Sequence, residues 1–379
     1  MDLVAGRVWA DERRPIRHLD PVLLVTTLLL AVGGLFLVYS ATNGSLRTLH
    51  LDPGTFVKKQ VTALVLGFVM LIVVAAFDYR FYKVYAGFIY GATVVALILV
   101  RTPLGASSSG AQRWFTFGGF QLTPSEFAKL ALAVMVAAVL SELRTAEPTL
   151  TDVLRVTLIG AVPMGLVFIQ PDIGTTIVLV AIVVGILVVA GTRPRHLATL
   201  ALASLVLLFG AFQMGIIKDY QLERLIAFGD TKTDLRGANY NRNQAEIAIG
   251  SGGLAGQGFM NGKLTNLDFV PEQHTDFIFT VAGEEFGFVG AVFILALFAI
   301  LMWRAIRISF LSKDAFGTYL AAGIAAMFAI QMFVNVGMVI GIMPITGIPL
   351  PFLSYGGSSM LANFIAVGLL LNIHMRRFT

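Results

Sequence analysis

Runs of about twenty apolar residues recur from one end of this 379-residue chain to the other. Each is long enough to cross roughly 30 Å of hydrocarbon as an α-helix. Inside lipid every backbone N–H and C=O needs an internal partner, and a helix supplies one for each. Charged residues make up 13% of the chain, against about 25% in soluble domains. The expectation is therefore an all-α, polytopic integral membrane bundle with about ten transmembrane helices. The even spread of the runs predicts one membrane unit over 1–379.

Ten spans are predicted, at about 20–41, 58–77, 84–101, 124–143, 153–170, 174–191, 196–215, 277–303, 315–341 and 354–373. Gln170-Pro171-Asp172-Ile173-Gly174 interrupts an almost continuous apolar stretch and reads as a tight turn, with Asp172 capping the next helix. The first run lacks a cleavage site and reads as an anchor. Arg7, Arg13, Arg14, Arg17, Arg80, Lys83, Arg144, Arg155, Arg193, Arg195, Arg304, Arg307, Lys313, Arg376 and Arg377 fall on one side of this topology. By the positive-inside tendency both termini are expected in the cytoplasm.

Three connections on the opposite side carry the chemistry-bearing residues: 102–123, a long extracytoplasmic loop at 216–276, and 342–353. The long one exceeds what a mere connector needs, and surface helices are expected within 220–229 and 240–250. Cysteine is absent, which excludes disulfides and thiolate chemistry. Scattered basic residues do not make a nucleic-acid surface. No phosphate loop, dinucleotide fingerprint or dedicated metal cage appears. Residues 251–258, SGGLAGQG, read either as a flexible turn or as backbone that approaches a lipid headgroup or pyrophosphate closely.

Several polar residues need a reason to sit beside apolar runs. Glu126 and Lys129 are spaced i, i+3 at the start of a span. They read as a local ion pair, as a cavity wall whose lysine attracts phosphate, or as both. Arg113 and Trp114 read equally as interfacial anchors and as binders of phosphate and of sugar or acyl chain. Asp276 is either a helix N-cap or, with Thr275 capping instead, a carboxylate at a cavity rim able to accept a proton. Glu284, two turns on, could face the same cavity if the helix has begun by Asp276. His274 reads as an interfacial hydrogen-bonding residue or a substrate contact. Gln331, Asn335, Ser354 and Ser358 read as interhelical glue or as a polar cleft wall.

In order, YSAT, QRWF, LTPSEFAK, QPDIGT, AIGSGG, VPEQHTDFIF, AGEEFG, NVGM and GIPLPFLSYGGSS resemble the SEDS family of shape, elongation, division and sporulation proteins over nearly all the spans. FVPEQHTDFIF and NVGMVIGIMPITGIPLPF look more like its elongation branch than its division branch. The resemblance implies a peptidoglycan glycosyltransferase that polymerises lipid II into a growing lipid-linked glycan at the outer face of the bacterial cytoplasmic membrane. It implies Asp276 as the essential acid, Glu126 and Lys129 as motif charges, and a class B penicillin-binding protein and other elongation machinery as partners. A divalent cation such as Mg2+ or Mn2+ bridged to pyrophosphate remains compatible with it. A lipid-precursor transporter and a noncatalytic scaffold are the readings from other classes. Product strands, leaflet exchange and partner activation distinguish the three.

Overall fold

The computed structural model describes residues 18–48, 54–108, 111–117, 120–143, 147–213, 238–267 and 269–378. The ten predicted spans each meet a helix. They are α1 Pro21–Thr48, α2 Thr55–Ala76, α4 Ala86–Leu99, α5 Pro124–Ser141, α6 Leu150–Ile169, α7 Ile173–Val189, α8 Pro194–Gln213, α11 Ile278–Leu311, α12 Ala315–Val339 and α13 Gly357–Met375. Seven are long and apolar enough to cross a membrane, and α4 and α7 are apolar but shorter. Short helices α3 Tyr79–Val84, α9 Ala238–Gly252 and α10 Lys263–Asn266 complete the helical set among the described residues. The surface helix expected within 240–250 falls inside α9. The one expected within 220–229, and Asp268, lie outside the described residues.

Local chemistry sets the helix starts. Thr149 and Asp152 form a reciprocal capping box at α6. Asp172 accepts from Thr175 N at 2.9 Å and so caps α7, as the sequence suggested. Pro124 occupies the first turn of α5, where its missing N–H costs nothing.

The core centres on α5, α12 and α13, which bury most of their residues. α12 packs against α5, α7 and α11, and α2 packs along α13. Gly323 of α12 lies against Ile186 and Ala133, and Gly185 of α7 against Ala326, so small residues set the close approaches. His18 and Phe378 are in edge contact with ring centroids 5.0 Å apart, which puts the two ends of the described chain at one end of the bundle.

One departure from the all-helical expectation lies in the 102–123 connection. It holds a small antiparallel sheet, β1 Ala106–Ser108, β2 Ala111–Phe117 and β3 Phe120–Leu122, in the order β1-β2-β3. Its seven-residue middle strand was too short to stand out beside the apolar spans. The sheet is tied to the bundle through Ser358, whose Oγ accepts from Thr123 N at 2.9 Å and donates to Gln121 O at 2.8 Å.

The second departure is a break inside α11 at Gly287, whose φ of 63° is left-handed. The glycine-rich 251–258 segment fills that break. Gln257 N donates to Glu284 O at 3.0 Å and Gly258 N to Glu285 O at 2.9 Å, while Phe288 N donates to Gly253 O and Val289 N to Leu254 O. These are the groups that a continuous helix would pair with one another. A broken helix at membrane depth needs such substitute partners. The glycines therefore permit close backbone approach, but to α11 rather than to a headgroup or pyrophosphate, and the segment is no free turn.

A Cβ on Gly256 would stand 2.1 Å from Glu285 O, at a φ of +81°. Gly256→Ala is therefore expected to cost about 1–3 kcal/mol from overpacking and backbone strain. A lower melting midpoint, with faster amide exchange at Phe288 and Val289, checks this.

Candidate functional site

The sheet, the start of α5, the α6–α7 turn, the 269–277 segment and the 340–356 connection meet at the end of the bundle opposite His18 and Phe378. Asp276 sits here, one residue before Phe277, the N-cap position of α11. Neither Asp276 nor Thr275 caps that helix, contrary to both cap assignments the sequence offered. Thr275 Oγ1 instead donates to Glu272 O at 3.1 Å. The Glu272 carbonyl also gathers the N–H groups of Thr275 and Asp276, at 3.2 and 3.1 Å, winding the loop into a compact turn.

Asp276 is half-buried, and the 340–356 connection lies against it. A Cβ on Gly347 would stand 3.2 Å from Asp276 Oδ2, and Gly347 has a φ of +73°. Glycine at 347 thus serves both the turn and the room beside the carboxylate. Asn335 Nδ2 donates to Asp276 O at 2.8 Å and to Ile348 O at 2.7 Å. Tyr355 N donates to His274 O at 2.9 Å. The His274 ring packs edge-on against Phe56 and tilts against Tyr355, with centroids 4.9 and 5.6 Å away. Asp276, His274 and Asn335 are therefore brought together as one constellation.

Glu284 does not join it. Its carboxylate accepts from Leu264 N at 2.8 Å, Thr265 N at 3.0 Å and Thr265 Oγ1 at 2.7 Å, which anchors α10. The expectation that Glu284 and Asp276 share a cavity fails because Glu284 is fully buried against that helix start. Gln273 extends the network by donating to Thr265 Oγ1 and Thr280 Oγ1. Glu285, also buried, accepts from Ser40 Oγ.

The other sequence candidates spread around this centre. Lys129 Nζ donates to Glu126 Oε2 at 2.7 Å, with both residues buried, as the local-pair reading expects. Arg113 Nε donates to Gln170 O at 2.9 Å and Nη2 to Pro171 O at 2.6 Å, bracing the α6–α7 turn. Trp114 is half-buried on β2, in register with Ala106. Ser354 Oγ accepts from Leu350 N at 2.8 Å and closes the loop before α13. Gln331 is fully buried, one helical turn before Asn335, and among the described residues neither polar atom of its amide has a hydrogen-bond partner.

Sequence reasoning missed Gln60, Gln273 and Gly347. Gln60 Nε2 donates to Ser354 O and its Oε1 accepts from Gly356 N, at 3.1 and 3.2 Å. A polar residue early in an apolar span was its only signal. Among the described residues no three His, Asp or Glu side chains converge as a metal cage.

An apolar cleft of about 420 Å³ opens between α1 and α11. Gly33, Phe36, Phe259, Phe286 and Phe293 help to line it, and Leu353 contributes from the 340–356 connection. That connection therefore touches both Asp276 and the cleft.

Together these features define a polytopic helical membrane protein with a polar site at one end of its bundle and an apolar cleft in its flank. A family model for the FtsW, RodA and SpoVE cell cycle proteins matches residues 21–378, and the chain belongs to that family, the SEDS family of the sequence reading. The probable peptidoglycan glycosyltransferase FtsW of Geobacter metallireducens is 35% identical over 365 residues, covering 96% of each chain. Peptidoglycan glycosyltransferase MrdB of Escherichia coli K12 is 34% identical over 362 residues, covering 95% of this chain and 94% of that protein. A solved structure described as the structural coordination of polymerization and crosslinking by a peptidoglycan synthase complex superposes with a TM-score of 0.78. It is 30% identical and covers 95% of this chain and 99% of that one.

Proposed function

We propose that this protein is a peptidoglycan glycosyltransferase that polymerises lipid II, with Asp276 as general base. The observation that carries the assignment of the base is the placement of Asp276. It is a half-buried carboxylate at the start of α11, with its backbone held by neighbouring segments and its side chain beside a glycine. Family membership supplies the reaction class.

In this mechanism Asp276 takes the proton of the acceptor sugar's 4-hydroxyl. The oxygen attacks the anomeric carbon of the donor's muramyl sugar, forming the glycosidic C–O bond. The bond from that carbon to pyrophosphate breaks, and undecaprenyl pyrophosphate leaves with the electron pair. Direct displacement inverts the anomeric centre. Positioning a base against the attacking hydroxyl accounts for about 10²–10⁴ in rate. A lipid-linked donor suits this architecture because its tail remains in an apolar phase while its head reaches the polar end.

The distribution of Lys and Arg, with His18 and Phe378 in contact, supports termini in the cytoplasm and a site facing outward. Residues 1–379 act as one membrane unit, with 216–276 as its long outer connection. A class B penicillin-binding protein is the partner that fits, since a structural relative belongs to a complex of polymerization and crosslinking. The similar identities to FtsW and MrdB proteins do not choose a branch. The FVPEQHTDFIF and NVGMVIGIMPITGIPLPF motifs favour elongation.

Purified protein in lipid vesicles, given labelled lipid II, is expected to yield glycan strands resolved on a gel. Leaflet exchange of lipid II without strands would instead select the transporter reading. The cleft supplies a second measurement. A Cβ on Gly33 meets nothing closer than Leu353 Cδ2 at 3.9 Å, and Gly33 lines the cleft, so Gly33→Leu is the substitution that intrudes on it. If the lipid tail uses the cleft, KM rises roughly tenfold, the scale of two lost methylene contacts at about 0.8 kcal/mol each. An unchanged KM places the tail elsewhere.

A further inference from the structure

We propose that Asn335 is the positioning residue of the reaction, acting through Asp276 without touching substrate; this rests on the base reading above. Asn335 is fully buried on α12, one of the core helices. Its Nδ2 carries two hydrogens and serves two carbonyls from separate segments, Asp276 O at 2.8 Å and Ile348 O at 2.7 Å. Among the described residues its Oδ1 has no hydrogen-bond partner. Here one end of the amide does all the bonding, and its targets are the backbone of the base and the loop beside it.

The peptide groups around Asp276 are consequently fixed from two sides. Asp276 N donates to Glu272 O at 3.1 Å, and Asp276 O accepts from Asn335. With its N–H and C=O both held, the Cα–Cβ direction of Asp276 is set before substrate arrives. The same amide brings Ile348, and with it Gly347, against the carboxylate, where a Cβ at 347 would stand 3.2 Å from Oδ2. Removing the two donors releases the base and the loop together. Both carbonyls are then left without their common partner, and a displacement of about 1 Å suffices for a hundredfold loss in rate.

The expected signature is a split between turnover and binding. Asn335→Leu, similar in shape but with no donor, should lower kcat about 100-fold while KM for lipid II stays within about threefold. A second background tests whether the effect runs through Asp276. In Asp276→Glu the longer side chain has already moved the carboxylate, so adding Asn335→Leu should cost less than about threefold more. Equal losses in the two backgrounds, an effect confined to KM, or wild-type kcat in Asn335→Leu each overturns the proposal. If Asp276→Glu has no measurable turnover, the split between kcat and KM decides alone. If the leucine variant melts early, Asn335→Asp replaces it. Protonated at this buried position, its acid can donate to only one of the two carbonyls, so a kcat loss is still expected, and wild-type kcat there also overturns the proposal. Failure of the base reading shows separately, as turnover retained by Asp276→Asn whatever happens at Asn335.

Discussion

Asp276→Asn is expected to abolish glycan strand formation, lowering turnover by about 10³-fold, with the melting midpoint unchanged. The amide has nearly the same shape as the carboxylate, and the contacts that shape this turn run through the backbone. Glu272 O accepts from the N–H of residue 276, and Asn335 Nδ2 donates to its C=O, whichever side chain is present. What the substitution removes is the basic carboxylate oxygen that takes up the proton, since an amide oxygen still accepts hydrogen bonds but is far less basic. Labelled lipid II with the protein in vesicles, beside a thermal melt of the same preparation, gives both readings. Near-normal strand formation would sink Asp276 as general base. Loss of strands together with a collapsed melt would show a structural carboxylate instead, since Asp276 has further interactions beyond its backbone bonds. The variant should also keep its affinity for lipid II, because a base engaged with the attacking hydroxyl contributes chiefly in the transition state.

The helical framework was legible because apolar runs of membrane length have few alternatives. Every predicted span met a helix, and Asp172 caps α7 as its place in the turn suggested. The site was legible in part. Asp276 stood out as an acid at the lip of an apolar run, and the resemblance singled it out among its neighbours. Its surroundings were hidden because they depend on contacts distant in sequence. Nothing near Asp276 announces that Asn335 will donate both to its carbonyl and to that of Ile348. Glu284 shows the converse error. Helical spacing placed it toward Asp276, but spacing says nothing about a partner such as Thr265, which draws the carboxylate to α10. The glycine-rich segment had a legible requirement, close backbone approach, and an illegible target, because the Gly287 break in α11 leaves no periodicity signal of its own.

The Glu126–Lys129 pair carries the largest expected effect on stability, and it separates two roles that the sequence left joined. Lys129→Met removes the positive partner and leaves a buried carboxylate uncompensated, at an expected cost of about 3–5 kcal/mol. Glu126→Gln should cost less, because its amide oxygen can still accept from Lys129 Nζ, which now lies 2.7 Å from Glu126 Oε2. The position of Glu126 in the first turn of α5 adds a smaller term, since a negative charge there faces the positive end of the helix dipole. Combining Glu126→Gln with Lys129→Met removes both charges and should recover most of the stability, because a neutral buried pair has no desolvated ion left to balance. Melting midpoints of the four proteins in the same lipid establish this order. Turnover then decides function, measured at a temperature where all four are folded. A pair that only closes the helix end leaves the double variant active as well as stable. A lysine that draws the donor's pyrophosphate leaves it stable but slow, with KM for lipid II raised. Unchanged melting and turnover in all the variants would remove both roles.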